Sequence, residues 1–225
     1  MGRAKVADAA GGASTRGRID KRQAILDAAF VVFAREGYAQ ASIDLIAAEA
    51  GVAKPTIYNH LAGKENLFRH AMAAAADRTT ARTLTAVSRL TADVPDLHLA
   101  FVEVGRALLD CYCSADSWAL RRLLHAEIVR FPDLFDLVGA SGPGQVAQAV
   151  ADRLARLALA GRLRLTDPVE AGEQFVALLT GPVAGRSALG TLPFDDVQRQ
   201  AAAHSATVTF LRAFGAEPTE PTGAA

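Results

Sequence analysis

Three glycines, Gly37, Gly51 and Gly63, close in turn one longer and two short pieces of the stretch from Asp20 to Phe68, and this spacing restricts what the segment can build. From Asp20, the residues Ile25, Leu26, Ala29, Val32 and Phe33 follow the spacing of one helix face, and Gly37 stops the run. Ser42 offers an N-cap to a second helix with the narrow stripe Ile43, Ile46, Ala47 and Ala50, which Gly51 ends by supplying a left-handed residue. Pro55 sits where a first-turn proline is tolerated, and a third helix runs only to Leu61 before Gly63 breaks it. Two short helices joined by the tight Ala50-Gly51-Val52 turn, with a longer helix before them, describe a helix-turn-helix whose second member enters a DNA major groove.

The side chains offered by the third helix test that reading. With Ile57 facing inward and residues about 100° apart, Ala53 and Leu61 lie within about 40° of it and close a hydrophobic seam. Pro55 and Asn59 land opposite, Thr56 and Tyr58 flank them, and His60 lies at about 60° from Ile57, part buried. An Asn amide can pair with adenine, a Thr methyl can meet the thymine methyl, and the Thr56 and Tyr58 hydroxyls can donate to phosphates. Lys64 falls in the first turn of a fourth helix, where the dipole repels a cation by roughly 0.3 to 1 kcal/mol. A bound phosphate would turn that repulsion into two attractions.

The rest of the chain keeps the helical period. The fourth helix carries Leu67, Phe68, Ala71 and Met72 and runs past Arg82 toward Thr91. Beyond Pro95 the apolar sets are Leu97, Phe101, Val104, Leu108 and Cys111, then Leu120, Leu124, Ile128 and Phe131, then Val146, Val150, Leu154 and Leu157. Asp167 and Pro168 start another helix through Phe175 and Leu179, and a last one carries Val197, Ala201, Val208, Leu211 and Phe214. No alternating strand pattern or internal repeat is present, so the expected class is all-α: an N-terminal three-helix helix-turn-helix domain and a C-terminal helical domain. The expected limits are a disordered basic arm over 1–19, the helix-turn-helix over 20–66, the helical body over 67–215 and a flexible tail over 216–225.

The formal net charge of zero argues, taken alone, against a nucleic-acid partner, but its distribution reverses that. Residues 1–75 carry ten basic side chains against seven acidic, and residues 76–225 carry 14 against 17, so a basic front end sits on a mildly acidic body. With 51% hydrophobic and 21% charged residues the composition is globular, and no apolar run is long enough to cross a bilayer. Met1 to Arg18 lacks the apolar core of a secretory signal, so the expected location is cytoplasmic.

At this point the residues carry a resemblance. Arg22-x-x-Ile25-Leu26-Asp27-Ala28-Ala29, Val32-Phe33-Ala34, Gly37-Tyr38, Ser42-Ile43, Ile46-Ala47, Ala50-Gly51-Val52 and Thr56-Ile57-Tyr58-Asn59-His60-Leu61-x-Gly63-Lys64-Glu65-x-Leu67-Phe68 resemble the DNA-binding domain of TetR-family transcriptional regulators. Leu61 stands where the family often has Phe, which leaves the groove face unaltered. The body resembles, less specifically, the C-terminal domains of AefR-like or AcrR-like members through Leu120-Arg121-Arg122, Glu127, Arg130-Phe131-Pro132-Asp133-Leu134, Gly161-x-Leu163 and Asp167-Pro168. The resemblance implies a homodimer joined by the last two helices, Pro168 to Gly181 and Pro193 to Phe214, with one reading head per subunit on double-stranded operator DNA. The residues expected to face DNA are Ser42, Lys54, Pro55, Thr56, Tyr58, Asn59, His60 and Lys64. It further implies a repressor released by a small, largely apolar effector held in the C-terminal domain.

Candidate effector contacts are Phe101, Leu108, Trp118, Leu124, Glu127, Phe131 and Phe175, although large aromatics at helical spacing are more often plain core. Glu127 sits on an apolar face, where a carboxylate is costly unless an arginine such as Arg106 or Arg130 pairs with it. Cys111 and Cys113 lie on different sides of a helix and read as small buried hydrophobes; no metal set, cofactor or catalytic constellation is found. Gly139-Ala140-Ser141-Gly142-Pro143 lacks the last glycine of a nucleophile elbow, and Gly63-Lys64-Glu65 lacks the upstream glycine and the hydroxyl of a phosphate-binding loop. An all-helical carrier or partner-binding protein that never touches DNA is the alternative, disfavoured by Thr56, Tyr58, Asn59 and Lys64 on one surface.

Overall fold

The computed structural model describes residues 9–141, 143–188 and 190–216. Among these the protein is all-α, with α1 (Ala9–Gln40), α2 (Ile43–Ala50), α3 (Lys54–His60), α4 (Gly63–Val87), α5 (Leu97–Tyr112), α6 (Ala115–Glu127), α7 (Asp133–Ser141), α8 (Pro143–Leu159), α9 (Pro168–Arg186) and α10 (Asp196–Phe214). Of the arm expected to be disordered over 1–19, the first eight residues lie outside the described residues and the backbone of 9–19 is helical. Each residue added to an existing helix gains a hydrogen bond, so α1 starts ahead of its first core-facing residue. Most of the tail, residues 217–225, also lies outside the described residues.

Cap chemistry explains several boundaries. Asp96, Asp167 and Asp195 accept backbone N–H groups at the starts of α5, α9 and α10, and Asp195 forms a reciprocal capping box with Gln198. Several boundaries differ from the sequence reading: α4 ends at Val87 short of Thr91, α10 begins at Asp196 rather than Pro193, and two more bear on packing. The stripe from Leu120 to Phe131 predicts one helix, but α6 ends at Glu127, whose carbonyl accepts from the N–H groups of Arg130 and Phe131 at 3.0 and 2.8 Å. Pro132 disfavours helical backbone at Phe131, and a separate α7 begins at Asp133. α9 continues beyond Gly181 through Pro182 to Arg186, and Val183 on this extension is fully buried in a core that also contains Phe194.

The chain divides into two compact units. The first comprises the residues up to Ala75 together with Leu123–Leu137, and so extends past the limit of residue 66 read from the sequence. The physical reason is an aromatic cluster. Phe68 on α4 meets Phe33 and Tyr38, each at 4.9 Å between ring centroids, and Phe131 meets Tyr38 at 4.9 Å. Arg69 fastens the same region, donating from Nε to the Asp133 carboxylate at 2.6 Å.

The second unit takes in Ala76–Arg122 and the residues from Val138 onward. Its core centres on Phe101 of α5, Phe175 of α9 and Phe210 of α10, whose rings lie 5.1 to 5.3 Å apart. Here α5 packs chiefly on α10, and α8 on α9.

Candidate nucleic-acid interface

Backbone chemistry sets the helix-turn-helix. The Leu45 N–H donates to Ser42 Oγ at 3.2 Å and caps α2. Gly51 at φ 63° reverses the chain, and the Val52 N–H donates to the Ala47 carbonyl at 3.0 Å. Only a residue without a Cβ adopts this conformation cheaply. Ser42→Ala is expected to remove the cap and lower the stability of the first unit by about 1 kcal/mol, read as a lower melting temperature.

Ile46, Ala47, Ile57 and Leu61 are buried where α2 and α3 meet. Ala53, expected in this seam, is exposed, because as the extended N-cap of α3 (φ −75°, ψ 144°) it lies outside the helical wheel. On the outer surface of α3, Pro55, Tyr58 and Asn59 are exposed, Tyr58 to 51%, while Thr56 and His60 are half-buried. The side chains of Thr56, Tyr58 and Asn59 make no hydrogen bond among the described residues, so their polar groups are available to a ligand.

The two lysines are held differently from these three. Lys54 Nζ lies 2.9 Å from the Asp44 carboxylate, and this bond raises the ammonium pKa. Lys64 Nζ donates to the Ala39 carbonyl at 3.1 Å and lies 4.6 Å from the Tyr38 ring centroid. Burial first, and the Arg130 charge second, push the Lys64 ammonium below its ordinary value. The carbonyl therefore already supplies an acceptor for the cation at the start of α4, and two of its three donors remain. Arg130, expected from the sequence as a partner for Glu127, instead lies 4.6 Å from the same Tyr38 ring centroid; no local pattern announces this long-range contact.

The seven candidate effector residues divide between the two units. Phe101, Leu108, Trp118 and Phe175 share the core of the second unit, whereas Leu124, Glu127 and Phe131 belong to the first. Glu127 is half-buried and forms no ion pair among the described residues, so the arginine pairing expected from its apolar stripe is not found. α6 stops at this residue, which removes the face on which that expectation rested. Arg106 instead donates to Asp196 at 2.6 Å. Both cysteines are free and half-buried, and burial raises their thiol pKa values. Among the described residues no three His, Cys, Asp or Glu side chains are grouped to hold a metal ion, and no helix is long and apolar enough to cross a membrane.

Residues 25–71 match the family model described as bacterial regulatory proteins, tetR family, and residues 100–216 match that of the AefR-like transcriptional repressor, C-terminal domain. Among solved structures, a TetR-family regulator from Mesorhizobium loti has 22% identity and a TM-score of 0.82, covering 88% of this chain and 98% of that one. A TetR regulator from Agrobacterium tumefaciens has 24% identity and a TM-score of 0.68, over 88% and 95% of the two chains. At these identities the likeness shows the fold. The flavonoid-responsive regulator FrrA is 27% identical, with a TM-score of 0.65 over 88% of this chain and 99% of its own. No curated protein matches the sequence. With the reading head and the C-terminal domain both matched in chain order, the protein belongs to the TetR family of transcriptional regulators, which bind DNA and are not enzymes.

Proposed function

We propose that the protein is a cytoplasmic homodimeric repressor that sits on a pseudo-palindromic operator and leaves it when a small ligand enters the second unit. The carrying observation is the outer surface of α3, where the uncommitted polar groups of Thr56, Tyr58 and Asn59 are presented beside Pro55. Asn59 reads a base edge, Thr56 and Tyr58 meet base methyls or phosphates, and Lys54 and Lys64 supply phosphate charge. Ser42 and His60 complete the set assigned to DNA contact.

A dimer follows from the reading task, because one short helix meets too few bases and two-fold proteins read two-fold sites. An open apolar groove between α9 and α10, lined by Ala177, Leu178, Gly181, Pro182, Ala213 and Phe214, supports the last two helices as the contact. The repressor description of the C-terminal match and the ligand response named for FrrA support release by an effector. Phe101, Leu108, Trp118 and Phe175 mark the region it enters. α4 and α6 each contribute residues to both units, so a displacement of either reaches the head.

Binding to the DNA flanking the protein's own gene, followed by fluorescence anisotropy, tests this reading. Asn59→Ala is expected to reduce discrimination between operator and a base-substituted operator by about 1–3 kcal/mol per half-site, or roughly 5- to 150-fold. Binding to unrelated DNA should stay nearly unchanged. An Asn59→Ala protein that weakens on all DNA equally would remove Asn59 from base reading.

A further inference from the structure

Arg121 on α6 is half-buried, and no carboxylate pairs with it among the described residues. Its guanidinium carbon lies 3.8 Å from the Tyr112 ring centroid and 4.1 Å from that of Trp118, and the two rings meet edge to face at 5.5 Å. One terminal nitrogen donates to the Tyr112 carbonyl at 2.6 Å. Nε is buried and has no acceptor. Of the acidic residues nearest in sequence, Asp116 lies 3.7 Å from Arg82 and Asp110 2.8 Å from Arg199, while Glu127, which forms no ion pair among the described residues, belongs to the first unit.

A cation withdrawn from water without a counter-charge is unfavourable, and burial accordingly pushes the Arg121 pKa down. Attraction to the two ring faces offsets part of this, but a ring face leaves the Nε–H without an in-plane acceptor. A carboxylate supplies both the missing charge and the missing acceptor in the geometry a guanidinium fits best. The two rings join this corner to the apolar core. Trp118 belongs to the core with Phe101 and Leu108, Tyr112 packs against that core, and a Cβ on Gly190 would collide with the indole.

We propose that Arg121, framed by Tyr112 and Trp118, is the anion-recognition point of the effector site, and that the effector is a small organic acid with an apolar body. The carboxylate pairs with the guanidinium, and the apolar body lies against the two rings. This rests on the reading that the second unit receives the effector.

Trp118 is the chain's single tryptophan, so its fluorescence reports directly on this corner. The full-length protein is titrated with phenylacetate and octanoate, and in parallel with phenylacetamide and octanamide, which keep the body and lose the charge. At least one acid is expected to give a saturable change in Trp118 emission, at least tenfold tighter than its amide. Arg121→Gln is expected to weaken that acid at least tenfold, and Arg121→Lys, which keeps the charge without the fork, less. If Arg121→Gln does not fold, the acid-to-amide ratio and the Lys variant decide alone. No saturable change with either acid, equal binding of acid and amide, or undiminished binding by the variants overturns the proposal. Anisotropy on operator DNA separates the two readings: an acid that binds at Arg121 without altering DNA affinity keeps the site and removes the effector role.

Discussion

Leu178→Asp is expected to convert the protein to a monomer in sedimentation and to lower operator affinity by roughly 100- to 10,000-fold, the range by which linked binding events outdo a single one. Leu178 is 36% exposed on α9 and lines the open groove with Ala177, Gly181 and Ala213. A carboxylate there would be buried unpaired in a helix-helix seam of the dimer, whereas in the isolated chain it meets water and leaves the fold intact. Leu211, on the apolar stripe of the last helix, is unsuited to this test because it packs against its own subunit's core. An unchanged dimer in Leu178→Asp would place the interface elsewhere. Full operator affinity in a proven monomer would overturn the two-fold reading.

Phe131→Ala is expected to reduce the stability of the first unit by about 3–5 kcal/mol, the usual loss when a buried aromatic is truncated. Phe131 is 4% exposed and meets Tyr38 at 4.9 Å and Phe68 at 5.6 Å between centroids, so its loss opens the cluster that joins Leu123–Leu137 to the helix-turn-helix. Denaturant unfolding followed by far-ultraviolet circular dichroism measures the change, and DNA binding should weaken in parallel. Phe135 on α7 provides the control: it is 67% exposed, and Phe135→Ala should alter stability by no more than about 0.5 kcal/mol. Equal effects of the two variants would show that Phe131 does not hold this segment.

Much of the reading head was legible because its determinants are local. Ser42 and Gly51 act on backbone groups a few residues away, and the positions of Ile57, Pro55 and Asn59 on α3 follow from the helical repeat. Ala53 was misplaced for a related reason, since the repeat holds only inside the helix and the N-cap lies outside it. Lys64 illustrates the next level. Its position in the first turn of α4 was readable, but the Ala39 carbonyl that accepts its hydrogen bond is 25 residues away in the chain.

By itself the sequence determined the all-α class, the succession of helices and the outward residues of α3, because helical periodicity and the backbone constraints of Gly, Pro and capping side chains act over one or two turns. Only the tertiary structure decided that Leu123–Leu137 joins the first unit, that Glu127 ends a helix without an arginine partner, and that Arg121 lies half-buried against two rings. These outcomes depend on contacts between residues far apart in the chain, such as Tyr38 and Phe131. An apolar stripe specifies that a face must be buried; which distant element covers it is settled by packing all the faces at once.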